Sequence, residues 1–302
     1  MTTFPEVQVG DPVRFQALSV FPLFTALGGD ENYLLSDEAI KAGVMTVEEL
    51  SEGGSVPTLL VKNTGDLRVL FLEGEELRGA KQNRVLNTSV LVAAHSETAI
   101  PVSCVEQGRW RYRSRHFSSE GTHSSTKLRQ KLKQSVSHSL MKGAGHSSDQ
   151  GAVWSEVSRQ MSSLCSASET GAMADTYESH EKQRTDYMQA LKYVEGATGL
   201  AVAVGSKVVA VDLFDKPATC QKVWNRLLSG VVMDALEEKQ SKESAQSSDV
   251  SGLIAKIRES SWVPAPAVGE GQEFRSASIP ETQGSALVFN EVVLHGSVVA
   301  AS

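Results

Sequence analysis

The sequence predicts an α+β fold, with a largely antiparallel β body built from both ends of the chain. The first third alternates short apolar runs with tight turns, and the residues after 262 return to the same pattern. The middle third instead shows the apolar spacing of amphipathic helices. A regular strand–helix alternation, which would build a doubly wound sheet, is absent. We therefore predict a single domain over residues 1–302, with a helical segment at 124–196 and a long helix in the C-terminal half packed on the β body.

Strand and turn signals alternate along the N-terminal third. The apolar run from Phe15 to Phe24 predicts an entry strand, with Pro22 at an edge or a bulge. The runs from Thr58 to Lys62 and from Leu67 to Leu72 flank a polar turn, which predicts a hairpin.

Helical periodicity begins at Thr126. Residues Thr126 to Lys142 carry apolar side chains every four positions, which predicts an amphipathic helix. Further helices are predicted from Gln150 to Ser166 and from Asp175 to Val194. The long helix is expected to start with Asp215 as its N-cap and Pro217 near its first position, and to bury a stripe of apolar residues. The members of this stripe are Val223, Leu227, Val231 and Leu236.

Basic residues in the first of these helices are interpreted as a solvated face. They are Lys127, Arg129, Lys131 and Lys133. An anion-binding role is the alternative.

The last part of the chain predicts four strands and a tight turn at Asn290 and Glu291. The predicted strands are Trp262 to Ala267, Gln272 to Ser278, Ala286 to Phe289 and Val292 to Val299.

The candidate site lies between Leu72 and Arg111, where polar residues interrupt core-like strands. Burying such groups costs free energy unless they pair with each other or with a ligand. If 95–98 form a hairpin loop, Ser89 faces Cys104 and Asn87 faces Glu106, all on one face of the ladder. On that register Arg84 and Arg109 meet near the open end, on the opposite face. The alternative is a sheet edge with a few satisfied polar groups.

Carboxylates are the candidate catalytic groups. Glu73 and Glu76 could act as a general base and its partner, or bind a divalent cation such as Mg²⁺ through oxygen. The alternative is that they cap a turn. Glu106 is the third candidate, and its charge is expected to raise the pKa of the Cys104 thiol, which favours a packed or ligand-touching role for Cys104 over a nucleophile.

The remaining candidates suit ligand binding. Arg84 and Arg109 could bind phosphate while Trp110 stacks on a flat ring, although Arg109 could instead be a surface charge. Gln82 and Asn87 would orient the ligand. His295, alone in an apolar strand, is either a satisfied core residue or a ligand contact.

Composition narrows the functional classes. A net charge of −7 and a pI near 5.6 argue against a general nucleic-acid or membrane-surface binder. The three cysteines are scattered without a CxxC pair, which argues against a zinc knuckle and favours a reducing compartment. With no signal-peptide pattern and no membrane-length apolar run, we expect a cytoplasmic protein. The P-loop, GxGxxG, GxSxG and HExxH motifs are all absent, so no metal ligand set is predicted.

Two segments resemble a known family. EGEELRGAKQNRVLNTSVLV followed by IPVSCVEQGRW is similar to the ARPP-1 domain, the ARG and rhodanese-phosphatase-superfamily associated protein domain. GLAVAVGSKVVAVDLFD and GSALVFNEVVLHGSVV resemble it as well. The resemblance implies a context of ADP-ribose and NAD-derived metabolites, without a reaction. The residues that it maps are Glu73, Glu76, Gly79, Gln82, Arg84, Asn87, Cys104, Glu106, Arg109 and Trp110.

Three functional hypotheses follow. The first is an enzyme that hydrolyses an ADP-ribose-like or other phosphorylated nucleotide metabolite. The second is a sensor that binds the same ligands without turnover. The third is a structural protein whose polar hairpin is an oligomer interface.

Overall fold

The computed structural model describes residues 4–26, 28–51, 53–54, 57–238, 243–276 and 282–300. The strands are β1 (Gln8–Val9), β2 (Val13–Phe15), β3 (Leu18–Phe24), β4 (Tyr33–Leu35), β5 (Met45–Glu49), β6 (Thr58–Asn63), β7 (Arg68–Phe71), β8 (Glu75–Gly79), β9 (Arg84–Leu86), β10 (Val90–Val92), β11 (Ser96–Cys104), β12 (Phe117–His123), β13 (Gly199–Val204), β14 (Lys207–Phe214), β15 (Trp262–Ala265), β16 (Gln272–Ser276), β17 (Thr282–Phe289) and β18 (Val292–Ala300). The helices are α1 (Ser36–Lys41), α2 (Thr126–Met141), α3 (Gln150–Ser163), α4 (Met173–Ser179), α5 (Glu181–Ala190), α6 (Pro217–Glu237) and α7 (Ser247–Glu259).

Three sheets organise these strands. A nine-stranded sheet has the order β1-β3-β13-β14-β18-β17-β16-β15, with β2 also paired to β3. A six-stranded sheet has the order β12-β8-β9-β11-β6-β5, and a three-stranded sheet the order β10-β7-β4. In the described ranges β4 with β7 is the parallel pair, and the other ladders are antiparallel. The nine-stranded sheet joins the first strands of the chain to the last, which confirms the predicted β body.

Helix α6 packs on the nine-stranded sheet through its predicted stripe. Val223, Leu227 and Val231 are buried in one core with Leu200 and Val202 of β13. The α+β prediction, with a long helix on a β body, is therefore confirmed.

The start of α6 differs from the prediction. Lys216 occupies the N-cap position, and Asp215 accepts a 2.5 Å hydrogen bond from the Tyr33 hydroxyl instead of capping the helix. Pro217 does stand in the first turn, where its missing N–H costs nothing.

Of two local strand predictions, the hairpin is wrong. β6 pairs with β5 and β11, whereas β7 pairs with β4 and β10, so the two strands form no hairpin. The three residues 69–71 of β7 are buried, and this strand needs neighbours that cover both of its faces. Pro22 lies inside β3 where the partner strand changes: Leu23 pairs with Val9 of β1 and Val20 with Val13 of β2, a one-residue shift in register that agrees with the predicted bulge. The carbonyl of Pro22 still accepts from the Gly10 N–H at 2.8 Å, since proline lacks only the donor.

The predicted register of the candidate hairpin is also wrong. β11 already begins at Ser96, and Cys104 lies opposite Arg84 of β9 rather than opposite Ser89. The chain leaves the ladder after Leu86, and β10 joins β7 in another sheet. At this point the side chain of Asn87 donates to the His146 carbonyl at 2.9 Å and accepts from Ser103 of β11 at 2.5 Å.

Helix boundaries follow the sequence closely, with one exception. The predicted helix from Asp175 to Val194 is two helices, α4 and α5, with a break at His180. The turn before β18 is confirmed, with φ of 47° at Asn290 and 64° at Glu291. The predicted strand ending at Ser278 is observed to Ser276, and its last two residues lie outside the described ranges. In the described ranges, no helix has the length and apolar character needed to cross a membrane.

Candidate functional site

Three neighbouring glutamates leave the turn between β7 and β8 toward different partners. The turn depends on Gly74, whose φ is +77°. The ion pairs are Glu73 with Arg129 and Lys133, Glu75 with Arg226, and Glu76 with Arg78. Glu73 and Glu76, expected to work as a pair, therefore contact different cations.

Glu73 belongs to a group that we call the buried polar cluster. Its members are Glu73, Ser89, Arg129, Lys133, Asp212, Ser285, His295 and Ser297, and each is 7% exposed or less. Arg129 donates to the two Asp212 oxygens at 2.9 and 2.6 Å and contacts Glu73 at 3.3 Å. Lys133 donates to Glu73 and, at 2.6 Å, to Ser285. The cluster thereby ties α2 to β14, β17, β18 and the turn before β8.

The interpretation of the α2 basic residues as a solvated face is wrong for two of the four. Arg129 and Lys133 are each 1% exposed, while Lys131 is exposed. These two residues are four positions apart and so lie on one side of the helix, beside the buried Leu132. Ion pairs with acidic residues distant in sequence offset the cost of burying these charges. Helix spacing alone does not reveal such partners.

His295 connects a serine to an aspartate in this cluster. Its Nδ1 lies 2.8 Å from Ser89 Oγ, and its Nε2 lies 3.2 Å from Asp212 Oδ1. The ring also stacks on Phe214, with ring centroids 4.9 Å apart. Serine, histidine and aspartate in this order are the groups of a nucleophilic relay. All three are buried, and the contacts of His295 join β18 to Asp212 of β14 and to Ser89, which lies between β9 and β10.

Ion pairing controls the protonation of the cluster. Burial alone would raise the pKa of Glu73, but Lys133 and Arg129 bring it well below its usual value. Asp212 shows the same balance, with Arg129 and His295 offsetting burial and lowering its pKa. Burial lowers the pKa of Lys133 to about 8, against the attraction of Glu73.

Glu106 and Arg109 form a second buried ion pair. Arg109 donates to the two Glu106 oxygens at 2.8 and 2.7 Å. It also donates to the carbonyls of Ala80 at 2.6 Å and Gly79 at 3.2 Å. Burial raises the pKa of Glu106, but Arg109 and two further donors lower it more. The guanidinium is thus committed to the fold and is not presented to a phosphate.

Arg84 is different, because two of its three guanidinium nitrogens lack hydrogen bonds among the described residues. It is fully buried, and Nη1 donates to Gln82 at 3.1 Å. Nε and Nη2 have no hydrogen-bond partner in the described part of the chain, although Nη2 lies 3.9 Å from Glu49. Burial lowers its pKa. Its guanidinium carbon lies 5.8 Å from the centroid of the Trp110 ring.

Cys104 lies next to Arg84 and is not a reactive thiol in this setting. Its Sγ lies 3.1 Å from Gln82 Oε1, and it is fully buried. Burial raises the pKa of the thiol, and this effect exceeds the opposing influence of Arg84. The packed role expected for Cys104 agrees with this geometry.

Of the residues predicted for the site, Trp110 alone reaches the surface, with 48% exposure. The others are 7% exposed or less: Glu73, Glu76, Gln82, Arg84, Asn87, Cys104, Glu106, Arg109 and His295. Glu73 and His295 lie in one buried group, and Gln82, Arg84, Cys104, Glu106 and Arg109 lie in another. Glu76 and Asn87 belong to neither, because Glu76 pairs with Arg78 and Asn87 donates to the His146 carbonyl. Asp212 was missed, although a lone carboxylate in the apolar run Val208 to Phe214 was a signal for it.

An open groove of about 870 Å³ lies between the end of β5 and the segment that follows Trp110. Its lining residues are Glu48, Glu49, Ser51, Tyr112, Arg113, Ser114 and Arg115. Residues 107–116, which we call the arginine–aromatic loop, supply one wall, and β5 supplies the other. Lys81 Nζ lies 5.2 Å from the Trp110 centroid and 5.1 Å from the Tyr112 centroid, so the two exposed rings flank one ammonium group.

Glu76 is the predicted catalytic carboxylate with an unused oxygen. Oε2 accepts from Arg78 at 2.9 Å, and Oε1 has no hydrogen-bond partner among the described residues. Burial raises the pKa of Glu76 more than Arg78 lowers it. Arg78 lines a cavity of about 400 Å³ with Thr122 and Arg184.

The described residues contain no group of three or more histidine, cysteine, aspartate and glutamate side chains that could hold a metal ion. Of the oxygens considered for Mg²⁺, the two of Glu73 and Oε2 of Glu76 accept from arginine and lysine instead.

By its fold and its site, the protein is an α+β protein with buried charged clusters and an arginine-containing surface groove. A family model for the ARG and Rhodanese-Phosphatase-superfamily-associated Protein domain, ARPP-1, matches residues 6–299. The chain therefore belongs to the ARPP-1 domain family, as its sequence resemblance indicated. Searches of curated proteins and of solved structures gave no match.

Proposed function

We propose that this protein binds a phosphorylated nucleotide metabolite, with ADP-ribose the first candidate, in the groove beside the arginine–aromatic loop. The observation that carries the proposal is the alternation of exposed rings and guanidinium groups along this loop. The rings are Trp110 and Tyr112, 48% and 51% exposed. The exposed arginines that line the groove are Arg113 and Arg115. Bases stack on such rings, and guanidinium groups bind phosphate through paired N–H donors.

Charge supports the same proposal. The chain carries a net charge of −7, yet three arginines lie within five residues of this loop. The two carboxylates on the opposite wall already have cationic partners: Glu48 lies 2.9 Å from Lys62, and Glu49 lies 3.9 Å from Nη2 of Arg84. Nε and Nη2 of Arg84 make no hydrogen bond among the described residues.

Binding without turnover is favoured over hydrolysis because two of the predicted catalytic carboxylates are occupied. Glu73 and Glu106 are buried in ion pairs with lowered pKa values, so neither is poised to take a proton near neutral pH. The proposal includes a cytoplasmic location. The three cysteines are free, as expected in a reducing compartment.

Calorimetric titration with ADP-ribose, NAD, ADP and inorganic phosphate, with and without Mg²⁺, tests the binding. Tyr112→Ala should weaken ADP-ribose roughly 5- to 150-fold if a base stacks there, since one stacked base contributes about 1–3 kcal/mol. Arg113→Ala should weaken every phosphorylated ligand, inorganic phosphate included.

Arg111→Ala is the matched control, because it removes the same charge from the same loop but does not line the groove. A smaller effect at Arg111 than at Arg113 supports the groove. The proposal fails if none of these compounds binds, or if the two arginine variants behave alike.

Hydrolysis remains the second candidate because of Glu76, with its free oxygen and raised pKa. In that case Glu76→Gln abolishes release of product from ADP-ribose while the dissociation constant stays within about threefold of wild type. Chromatographic analysis of ADP-ribose incubated with each protein measures this. An unchanged substrate pool with the wild-type protein, with and without Mg²⁺, excludes hydrolysis of this compound.

A further inference from the structure

A separate, more enclosed cavity of about 210 Å³ lies where α2 begins, beside the turn between β13 and β14. Its lining residues are Thr126, Lys127, Val204, Gly205, Ser206, Lys207, Val209, Asp234 and Glu238. None of them belongs to the groove at the arginine–aromatic loop. The volume falls below the roughly 300 Å³ at which pockets for drug-sized ligands begin, so a small metabolite is the expected size of occupant.

Asp234, from α6, is the buried carboxylate of this cavity. It is 4% exposed, and Oδ2 accepts from the backbone N–H and the hydroxyl of Thr126 at 2.6 and 2.8 Å. Oδ1 has no hydrogen-bond partner in the part of the chain that the structure describes. A buried carboxylate oxygen without a donor is costly, and a ligand that brings a donor would remove that cost.

Two opposite charges flank the cavity. Lys207 and Glu238 are both exposed, and neither makes an ion pair among the described residues. Lys127 is instead occupied by Glu237 at 2.5 Å. Val204 and Val209 give the cavity an apolar wall. One cavity thus offers an acceptor for a cation and, separately, a partner for an anion.

We propose that this cavity binds a small zwitterion, a compound that carries an ammonium group and a carboxylate on a short apolar spacer. The ammonium group is directed to Asp234 and Glu238, and the carboxylate to Lys207. The spacer packs on Val204 and Val209. Short amino acids have this chemistry.

Burial raises the pKa of Asp234 to about 6, although the Thr126 donors and the charge of Lys127 lower it. An ammonium group beside the carboxylate would favour the charged form.

Saturation-transfer NMR on the full chain, with glycine, β-alanine and 4-aminobutyrate as probes, tests this site. Propionate and propylamine serve as half-molecules that carry one of the two charges. At least one zwitterion should bind tenfold or more tightly than either half-molecule. Lys207→Gln and Glu238→Gln should each weaken it roughly two- to fivefold, as expected for exposed charge pairs. Asp234→Asn, which keeps an acceptor for Thr126, should weaken it about tenfold or more.

Lys41→Gln is the control, because it removes an exposed lysine from α1 that does not line the cavity. The proposal is overturned if no zwitterion binds the wild-type protein, if a half-molecule binds as tightly, or if Lys41→Gln has the same effect as Lys207→Gln. The two surface variants keep the test valid even if Asp234→Asn impairs folding. Nucleotide binding at the arginine–aromatic loop is independent of each outcome.

Discussion

Replacing Glu73 by glutamine tests whether the predicted catalytic carboxylate with two buried cationic partners is structural. The substitution keeps the shape of the side chain and removes its charge. Lys133 and Arg129 then remain buried with Asp212 as the carboxylate partner of Arg129. Removing one partner of a buried ion pair costs about 3–5 kcal/mol, because an uncompensated charge is left behind.

The size of the protein sets the expected thermal shift. Unfolding entropy of about 2.1 cal/mol/K per residue gives about 0.6 kcal/mol per kelvin for 302 residues. A loss of about 3–5 kcal/mol therefore lowers Tm by about 5–8 °C. A catalytic carboxylate held at a cost to stability would behave in the opposite way, since its replacement leaves Tm unchanged or raises it.

Differential scanning calorimetry at pH 7 measures this shift, and Glu120→Gln provides the control. Glu120 also pairs with an arginine, at 3.2 Å, but its side chain is 53% exposed. Its replacement should cost less than about 1 kcal/mol. Adding Lys133→Met to Glu73→Gln removes the stranded ammonium, so the double variant should lose less stability than the two single variants summed. A Tm for Glu73→Gln within about 1 °C of wild type would refute the structural role.

Two further predictions concern the turn beside Glu73. Gly74→Ala should destabilise the protein by about 2 kcal/mol in denaturant unfolding, because the backbone has φ +77° and the new Cβ would lie 2.7 Å from His123 Cε1. Gly43 has φ +72° and open space around it, so Gly43→Ala should cost only the backbone strain of an alanine at positive φ. Equal losses of stability at both sites would show that the contact with His123 contributes nothing. Burial lowers the pKa of His123 from 6.5 to about 3. Between these two pH values the unfolded state binds a proton that the folded state does not, so the free energy of unfolding falls as pH decreases from 6.5. Between pH 6.5 and about pH 5 this group should cost about 2 kcal/mol, and His123→Asn should show a correspondingly flatter urea-midpoint profile than wild type.

The sequence predicts those parts of the fold that depend on local periodicity. The stripe of α6 and the boundaries of α2 follow from apolar spacing, because each helix buries one continuous face. The turn at Asn290 and Glu291 is equally local. The hairpin of β6 with β7 fails because strand partners depend on long-range burial. Nothing near Arg68 to Phe71 shows that both faces of this strand are covered.

The sequence indicates which residues of the candidate site are buried and polar, but it does not indicate which of them contact each other. Charged side chains in apolar strands correctly indicated buried polar contacts, since such burial requires partners. The partners themselves lie far away in sequence: Arg129 follows Glu73 by 56 residues, and Ser297 by 224. Spacing on α2 could not reveal that Arg129 faces Asp212 rather than solvent. The same lack of partner information made Arg109 look available for phosphate, when Glu106 already holds it.

The buried pair of Glu106 and Arg109 has a consequence for the surface next to it. Arg109 donates to Glu106 and to the carbonyls of Ala80 and Arg111, so the start of the arginine–aromatic loop is fixed to the strand below. A loop held in this way loses little conformational entropy when a ligand binds. On the proposed function, the guanidinium would contribute by holding Trp110 and its neighbours in place, without contacting the ligand, since Arg109 is only 7% exposed.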